Sequence, residues 1–351
     1  MGKLGKVLSL ARQIKTEQGV CLVTQFYEIF YLYVSRGLGP LLYFEASLWR
    51  RDLSLAEKKR FMNAAQYSAR IDQLNPREYR KFAQHKLAEK SLLTLMGFPT
   101  PAFIGFYSEE GGSDTKGISL DTLDSLEVLL CKYENHVVCF KMAEGWGGEG
   151  FTAAKISKTA EGLILENLAV QGKRYLLADF FSEYLQDNVG KGLLIEEYFY
   201  QHQILSQFHS SSLNTLRIWA TKNRNDIEIL GAVLRLGRDN QVIDNASQGG
   251  LIVNIDLDTG KLEELTDTGI LRVAYKVHPS TGCQIEGVEL PHWEACINLS
   301  KRALAAFPGM RFVGLDMAIG PDGPVIVELN PEPDRKSARN FGRPLTDLLS
   351  D

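Results

Sequence analysis

Three oxygen-bearing side chains near the C-terminus have the spacing of a metal site. Asp316 lies in the apolar run Arg311-Phe-Val-Gly-Leu-Asp316-Met-Ala-Ile319. Glu328 and Asn330 lie in Val325-Ile-Val-Glu328-Leu-Asn330-Pro331, beyond the turn Gly320-Pro-Asp-Gly-Pro324. The pattern predicts two strands joined by a tight Pro/Gly turn. A period of two puts Glu328 and Asn330 on one face. Two carboxylates and an amide oxygen suit Mg²⁺, a hard cation that keeps its other positions for water and phosphate oxygens; Mn²⁺ is the substitute such a donor set admits. The chemistry implied is that of a nucleoside triphosphate.

Other segments supply what a triphosphate needs. Lys141 ends an apolar strand and precedes Glu144-Gly-Trp-Gly-Gly-Glu-Gly150. Glycines such as Gly147 and Gly148 let backbone N–H groups approach phosphate, and the lysine adds a point charge. The competing reading is a plain hairpin turn. The loop is neither a Walker A motif nor a dinucleotide fingerprint. Glu196-Glu197-Tyr198-Phe199 follows the strand from Leu193 and reads either as a hinge offering backbone groups to adenine and a carboxylate to ribose, or as a strand end with solvated acids. Arg217 and Arg235 sit in otherwise apolar strands, where an arginine requires a carboxylate or a phosphate. Asp244-Asn245-Ala-Ser-Gln-Gly-Gly250 is a second loop able to present amides to an anion. His278 and His292 lack zinc-type spacing and read as structural. No Ser-His-Asp or Cys-His arrangement is legible.

The elements that must hold these groups form an α+β pattern. In 351 residues, hydrophobic content is 44% and charged content 23%, ordinary for a globular protein with more than one core. The net charge of −4 gives no basic field for nucleic acid. Five cysteines without a C-x-x-C read as free thiols, several of them buried, in a reducing cytoplasm. No secretory leader is visible, and Met1-Gly-Lys-Leu-Gly-Lys6 lacks the Ser/Thr of a myristoylation signal. The run Gly19–Val34 is too short to span a bilayer comfortably and contains Gln25 and Glu28. It reads as a packing helix, or else as one lying on the inner face of a membrane, helped by Lys3, Lys6, Arg12 and Lys15. The first eighty residues are mostly helical. A helix is expected from Pro76 to Met96, stopped by Gly97 with Pro99 and Pro101 beyond. Phe103–Tyr107 reads as a strand, Glu109–Lys116 as a loop, and Asp121 as the cap of a helix carrying Leu123, Leu126, Leu129 and Leu130. Strands are expected at 136–140, 163–165, 193–195, 215–221 and 227–236, and a helix opening at Pro291 and ending at Pro308-Gly309. Helices and antiparallel hairpins mix without strict β-α alternation.

Taken in order, these segments resemble the ATP-grasp superfamily from about Asn75 to Leu349. Lys86, in His-Lys86-Leu-Ala-Glu-Lys-Ser-Leu-Leu-Thr-Leu-Met-Gly-Phe-Pro-Thr-Pro101, is similar to the first nucleotide lysine, and Lys141 to the second. Asp316, Glu328 and Asn330 match its D…E-x-N metal triad, and Asn214-Thr-Leu-Arg217, Arg235 and Asn245–Gly250 resemble the elements of peptide-forming members. Ser212-Leu-Asn-Thr-Leu-Arg217, Val242-Ile-Asp-Asn-Ala-Ser-Gln-Gly-Gly250, His278-Pro279, Leu290-Pro-His-Trp293 and Gly342-Arg-Pro-Leu345 are similar to the sugar-transfer-associated group, which is linked to surface-polysaccharide biosynthesis.

The resemblance implies an ATP-grasp fold with a helical N-terminal extension. Residues 1–74 would be that extension, 75–200 the N-terminal lobe and small subdomain, and 201–351 the large subdomain. It further implies a carboxylate–amine ligase using ATP and Mg²⁺ on small-molecule carboxylates and amines, some sugar-linked, in a cytoplasmic protein with a homodimer as one possible assembly. Arg217, Arg235 and Asn245 would be its catalytic residues. Lys86, Lys141, Gly147, Gly148 and Glu196–Phe199 would hold the nucleotide. A kinase sharing every nucleotide residue, or a non-catalytic nucleotide-binding scaffold, are the alternatives. The family usually has glycine soon after the metal Asn; Asn330-Pro-Glu-Pro-Asp334 departs from that on the acceptor side.

Overall fold

The computed structural model describes residues 2–145, 150–170, 172–223, 226–239 and 249–350. Seven helices precede the first strand: α1 (Lys3–Gln18), α2 (Leu22–Arg36), α3 (Pro40–Glu45), α4 (Leu55–Lys58), α5 (Ala64–Leu74), α6 (Arg77–Ala83) and α7 (Lys86–Leu95). Both α1 and α2 stop at a left-handed glycine, Gly19 (φ 68°) and Gly37 (φ 66°), a conformation that costs glycine little. Val7, Ala11 and Ile14 of α1 close a small core with Ile29 and Leu32 of α2 and with Tyr43 and Phe44. The lone acid of α2, Glu28, turns into this core, where Lys58 Nζ (2.7 Å) and the Tyr43 hydroxyl (2.6 Å) donate to it. No described helix is long and apolar enough to cross a membrane.

Among the described residues, two seven-stranded antiparallel sheets follow. The first has the order β2-β1-β7-β3-β4-β5-β6, with β1 (Phe103–Tyr107), β2 (Ser113–Asp114), β3 (Val137–Met142), β4 (Thr152–Thr159), β5 (Gly162–Asn167), β6 (Arg174–Leu176) and β7 (Leu193–Glu197). Helices α8 (Leu123–Leu130) and α9 (Leu177–Phe180) cover one face, packing Leu126, Leu130 and Phe180 on Val138, Phe140 and Ile195. The second has the order β12-β11-β10-β9-β8-β13-β14. Its strands are β8 (Thr215–Asn223), β9 (Asp226–Leu236), β10 (Leu251–Ile255), β11 (Leu262–Asp267), β12 (Ala274–Tyr275), β13 (Phe312–Gly320) and β14 (Gly323–Asn330). The short α10 (Gln203–Phe208) leads into it, and α11 (Trp293–Ala305) sets Cys296, Leu299 and Ala303 against Leu216, Leu234, Leu315 and Met317. After β14 the chain folds back, and α12 (Leu345–Leu348) packs with Tyr67 and Ile71 of α5 on Trp219 and Phe312. The protein is α+β, with a helical N-terminal extension.

Three local expectations need correction. The helix expected over Pro76–Met96 breaks at Gln84 and His85, whose N–H groups reach only three residues back, to Lys81 and Phe82. Lys86 N–H then bonds to the carbonyl of Ala143, 2.8 Å away, so a long-range partner ends one helix and starts another. Thr122, not Asp121, caps α8: its Oγ1 accepts from Ser125 N–H at 3.2 Å, completing a capping box. The loop 109–116 contains β2, which borrows order from β1. All five cysteines are free, and Cys139 and Cys296 are buried, their thiols pushed up to about 12 by desolvation; Cys21 is exposed.

Asn75, fully buried between α5 and α6, ties the two ends of the β13–β14 hairpin together. Its Nδ2 donates to the carbonyls of Phe312 (2.7 Å) and Pro331 (2.5 Å), and its Oδ1 accepts from Arg311 (3.0 Å) and Phe312 (3.1 Å) N–H groups. Asn75→Ala removes one partner from each of these backbone groups, although the Arg311 N–H keeps the Leu74 carbonyl at 3.2 Å. Urea denaturation should show a loss of about 2–4 kcal/mol; a loss below 0.5 kcal/mol, within the range of surface substitutions, would show that the clamp is dispensable.

Candidate functional site

Strand alternation sorts the second sheet into two faces. Leu216, Leu234, Leu315 and Leu329 point to the α11 core. Residues one position on, Arg217, Arg235, Asp316, Glu328 and Asn330, share the opposite face. Asp316 lies directly across from Arg217 on β8 and from Glu328 on β14, and Gly314 across from Asn330. Arg217 grips Asp316 with two nitrogens, Nε on Oδ1 and Nη2 on Oδ2 at 2.9 Å. Arg235 Nη2 approaches the same Oδ2 at 3.0 Å and donates to Thr215 Oγ1 at 2.6 Å. Burial opposes ionisation of Asp316, but the two guanidinium groups outweigh it and hold the carboxyl below its ordinary value.

Glu328 is in the opposite condition. Its carboxylate makes no hydrogen bond or ion pair with any described residue, and burial together with Asp316 raises its pKa, only partly offset by Lys86, Arg217 and Arg235. Beside it, Asn330 Nδ2 is buried without a partner among the described residues. A half-turn of that amide presents oxygen instead of nitrogen, so the pair offers two unsatisfied ligand atoms at one place. This donor set fits a hard divalent cation; Asp316, already shared between two arginines, contributes what its remaining lone pairs allow. Among the described residues no cluster of three His, Cys, Asp or Glu groups forms a metal site without such an amide.

Helix α7 joins this face to the first sheet. Lys86, Glu89 and Lys90 occupy one side of it at i, i+3 and i+4. Glu89 accepts from the Leu329 N–H on β14, and its pKa is raised well above normal by burial and by Glu328. Lys90 reaches the other way, pairing with Glu196 on β7 and donating to the Pro101 carbonyl at 2.7 Å. Glu196 also binds Lys141 of β3 at 2.5 Å. The β3–β7 register sets Cys139 opposite Glu196 and so brings Lys141 diagonally beside it. Lys141 and Lys90 overcome the desolvation of Glu196 and lower its pKa; Lys141 is itself raised, since Glu196 outweighs burial. Lys86 donates to the Gly145 carbonyl at 2.8 Å, at the start of the glycine-rich segment. Both Lys86 and Lys141 act electrostatically on Glu328.

The remaining expected residues divide. At the end of β7, Glu196 is not turned to solvent or to a hinge: its carboxylate is only 2% exposed, between the two lysines. Glu197 is the exposed acid there. Its N–H bonds to Ala102, and that of Tyr198 to Val137. Tyr198 is half-buried, and the Phe199 ring lies where a Cβ on Gly320 would come within 2.9 Å. Gly147, Gly148 and Asn245 lie outside the described residues. The sequence reading omitted Glu89 and Lys90, although their spacing from Lys86 marks a common helix face. A cavity of about 540 Å³ adjoins Asn330, walled by Tyr67, Arg80, Glu332, Asp334 and Arg335.

A raised folded-state pKa means that ionised Glu328 is less favourable in the fold than in the unfolded chain. That penalty is complete above the folded value and disappears below the ordinary glutamate range. Glu328→Gln should therefore raise the melting temperature of the cation-free protein at pH 7, with the difference vanishing as pH falls below about 4. A lower melting temperature at pH 7 would show that Glu328 is a structural anion.

Several solved structures are similar to parts of the chain. Carboxyaminoimidazole ribonucleotide synthase from Aspergillus clavatus, complexed with ATP, is 14% identical, with a TM-score of 0.43 over 77% of this chain and 52% of that one. D-alanyl-alanine synthetase A from Vibrio cholerae is 10% identical, with a TM-score of 0.43 over 76% and 62%. D-cycloserine synthetase is 12% identical, with a TM-score of 0.43 over 79% and 74%. The chain thus spans little more than half the length of the first and three-fifths of the second. No curated protein sequence matches it. The sequence does match the sugar-transfer associated ATP-grasp family over residues 64–338, from α5 through both sheets to the chain beyond β14. The chain belongs to that family.

Proposed function

We propose that this protein is an ATP-dependent carboxylate–amine ligase that works through an acyl phosphate. The observation that carries this reading is the half-buried Glu328, without a hydrogen-bond or ion-pair partner among the described residues, set beside Asp316 and within the fields of Lys86 and Lys141. It is a cation site adjoining a place for phosphate. A substrate carboxylate oxygen attacks the γ-phosphorus of ATP, the bond to the β,γ-bridging oxygen breaks, and ADP leaves. An amine then attacks the acyl carbon and expels phosphate, losing a proton to form the amide. Phosphoryl transfer of this kind asks for alignment and charge neutralisation more than for covalent help.

Glu328 and Asn330, with Asp316, would hold Mg²⁺, with Mn²⁺ as a substitute, which would supply charge neutralisation for the phosphate tail. Lys86 and Lys141 neutralise the phosphates from the opposite side, and Lys90 keeps Glu196 charged so that Lys141 stays placed. Arg217 faces the transferring phosphoryl group or the tetrahedral intermediate, and Arg235 with Asn245 orients the acceptor. Gly147 and Gly148 cover the phosphates, and the segment Glu197–Phe199 lines the adenine. In this reading residues 75–200 carry the covering lobe and 201–351 the metal face, behind the helical 1–74. The charged cavity at Asn330 favours a small polar acceptor, sugar-linked in surface polysaccharide or amino-acid–sugar conjugate assembly.

We also infer a site of work at the cytoplasmic face of an anionic membrane. Val23, Phe26, Tyr27, Phe30, Tyr33 and Val34 are exposed along one side of α2, while its acid points inward. Lys3, Lys6, Arg12 and Lys15 on α1 are exposed beside Glu17 as the single acid of that helix, which suits anionic lipid.

Asp316→Asn and Lys141→Ala should each lower ADP formation about 10²-fold, the scale for losing one charge-stabilising group. Turnover should require both a carboxylate and an amine, with the product mass showing amide formation and released phosphate. Near-wild-type rates in both variants would refute the site, and a phosphorylated product would make the enzyme a kinase. The full chain should sediment with phosphatidylglycerol vesicles at low salt, and Phe30→Glu should abolish this; equal sedimentation with neutral vesicles, or none with anionic ones, would remove the membrane assignment.

A further inference from the structure

A second polar pocket lies away from the β13–β14 face, between the N-terminal helices and the segment that runs into β12. Its volume is about 310 Å³, within the range of small-ligand sites. Gln13 and Glu17 of α1, Trp49 and Arg50 after α3, Arg272 before β12, and Arg339 and Arg343 after β14 all line it. Four arginines therefore converge on one small space.

Their partners do not account for them all. Arg50 is paired with Asp52, and Arg339 donates to the carbonyls of Gly269 (2.9 Å) and Ile270 (2.7 Å). Those carbonyls fix the Arg339 guanidinium without neutralising it. Arg272 donates to the Asn340 side-chain oxygen, a neutral group, and its Nε is buried with no partner among the described residues. Burial and the proximity of Arg272 lower the pKa of Arg339 to about 10, while Asp267 and Glu45 partly compensate. Burial likewise lowers Arg272, again offset only by Asp267. Asp267 is itself engaged, accepting from the Gly269 and Val273 N–H groups. Glu17 is the acid on the lining itself. Two guanidinium groups are thus held near each other in a half-buried pocket, an arrangement that an oxyanion between them relieves.

We propose that this pocket binds a phosphoryl group of a small-molecule ligand, with Arg272 and Arg339 on its oxygens and Arg343 at the mouth. The guanidinium fork matches the spacing of phosphate oxygens, and several forks together suit a diphosphate, which carries more charge than one arginine balances. The pocket is built jointly by the N-terminal helices and the C-terminal segment, so its occupancy would brace the extension against the second sheet. The inference does not depend on the ligase reading.

Pyrophosphate is a suitable probe, tested on the full chain by thermal unfolding at constant ionic strength. Because pyrophosphate also suits the nucleotide site, Lys141→Ala serves as background throughout. Pyrophosphate should raise the melting temperature of that background by about 2 °C or more at saturating concentration. Adding Arg343→Gln, a change at an exposed rim position, or Arg272→Gln should abolish the rise. Both substitutions in the otherwise wild-type chain should leave basal ATP turnover unchanged. An undiminished rise in both double variants, or no rise in the background, would overturn the proposal. An equal rise with malonate would overturn the phosphoryl assignment, since a dicarboxylate would then satisfy the pocket equally well.

Discussion

Buried charge is the constraint around which the molecule is arranged. Glu89, Glu196 and Asp316 are nearly removed from water, and Glu328 is half-buried beside them. An isolated buried carboxylate costs several kcal/mol or gives up its charge. Two of the four, Glu196 and Asp316, each have two cations and are held ionised. The other two, Glu89 and Glu328, are pushed toward the neutral acid. The difference follows from topology: Asp316 has cationic neighbours one and two strands away, and Glu196 is reached from both its own sheet and α7. Glu328, on the edge strand, has Asp316 as its cross-strand partner.

That asymmetry is what a cation site requires. A carboxylate already satisfied by protein gains little from a metal, whereas one left unsatisfied gains much. The stability lost at Glu328 has to be supplied elsewhere, and the hairpin that carries it is held at both ends by Asn75 and braced by Glu89 on the Leu329 N–H. Helix α7 therefore does two jobs with adjacent residues. Glu89 fastens it to the second sheet and Lys90 to the first, leaving Lys86 between them toward the glycine-rich segment. One ten-residue helix thus ties the first sheet to the face that carries Asp316 and Glu328.

The shared face of Glu328 and Asn330 was legible in the sequence because strand period is two, whereas the place of Arg217 and Arg235 on that face depends on the β8–β9 register. The apolar residues between them named the opposite, core-facing side. Less legible was anything decided by a distant partner. The break before Lys86 depends on the Ala143 carbonyl, and no local signal in Gln84-His85 announces it. The burial of Glu196 depends on Lys90, over a hundred residues earlier in the chain; read locally, Glu196 and Glu197 are equivalent acids. The short strands β10 to β12 lack the long alternating runs of β8 and β9, and take their order from pairing within the sheet. Nothing local distinguishes Glu89 and Lys90 from solvated helix charges; their partners lie on β14 and β7.

The central claim is that Glu328 becomes a cation ligand when nucleotide is present. Electron paramagnetic resonance of Mn²⁺ measures this directly, since protein-bound and hydrated ions give different spectra. The account predicts a bound-ion signal that appears with wild-type protein and ATP and is lost in Glu328→Ala under the same conditions, with Mg²⁺ displacing it. An identical bound signal in Glu328→Ala, or none with wild-type protein at saturating ATP, would contradict it.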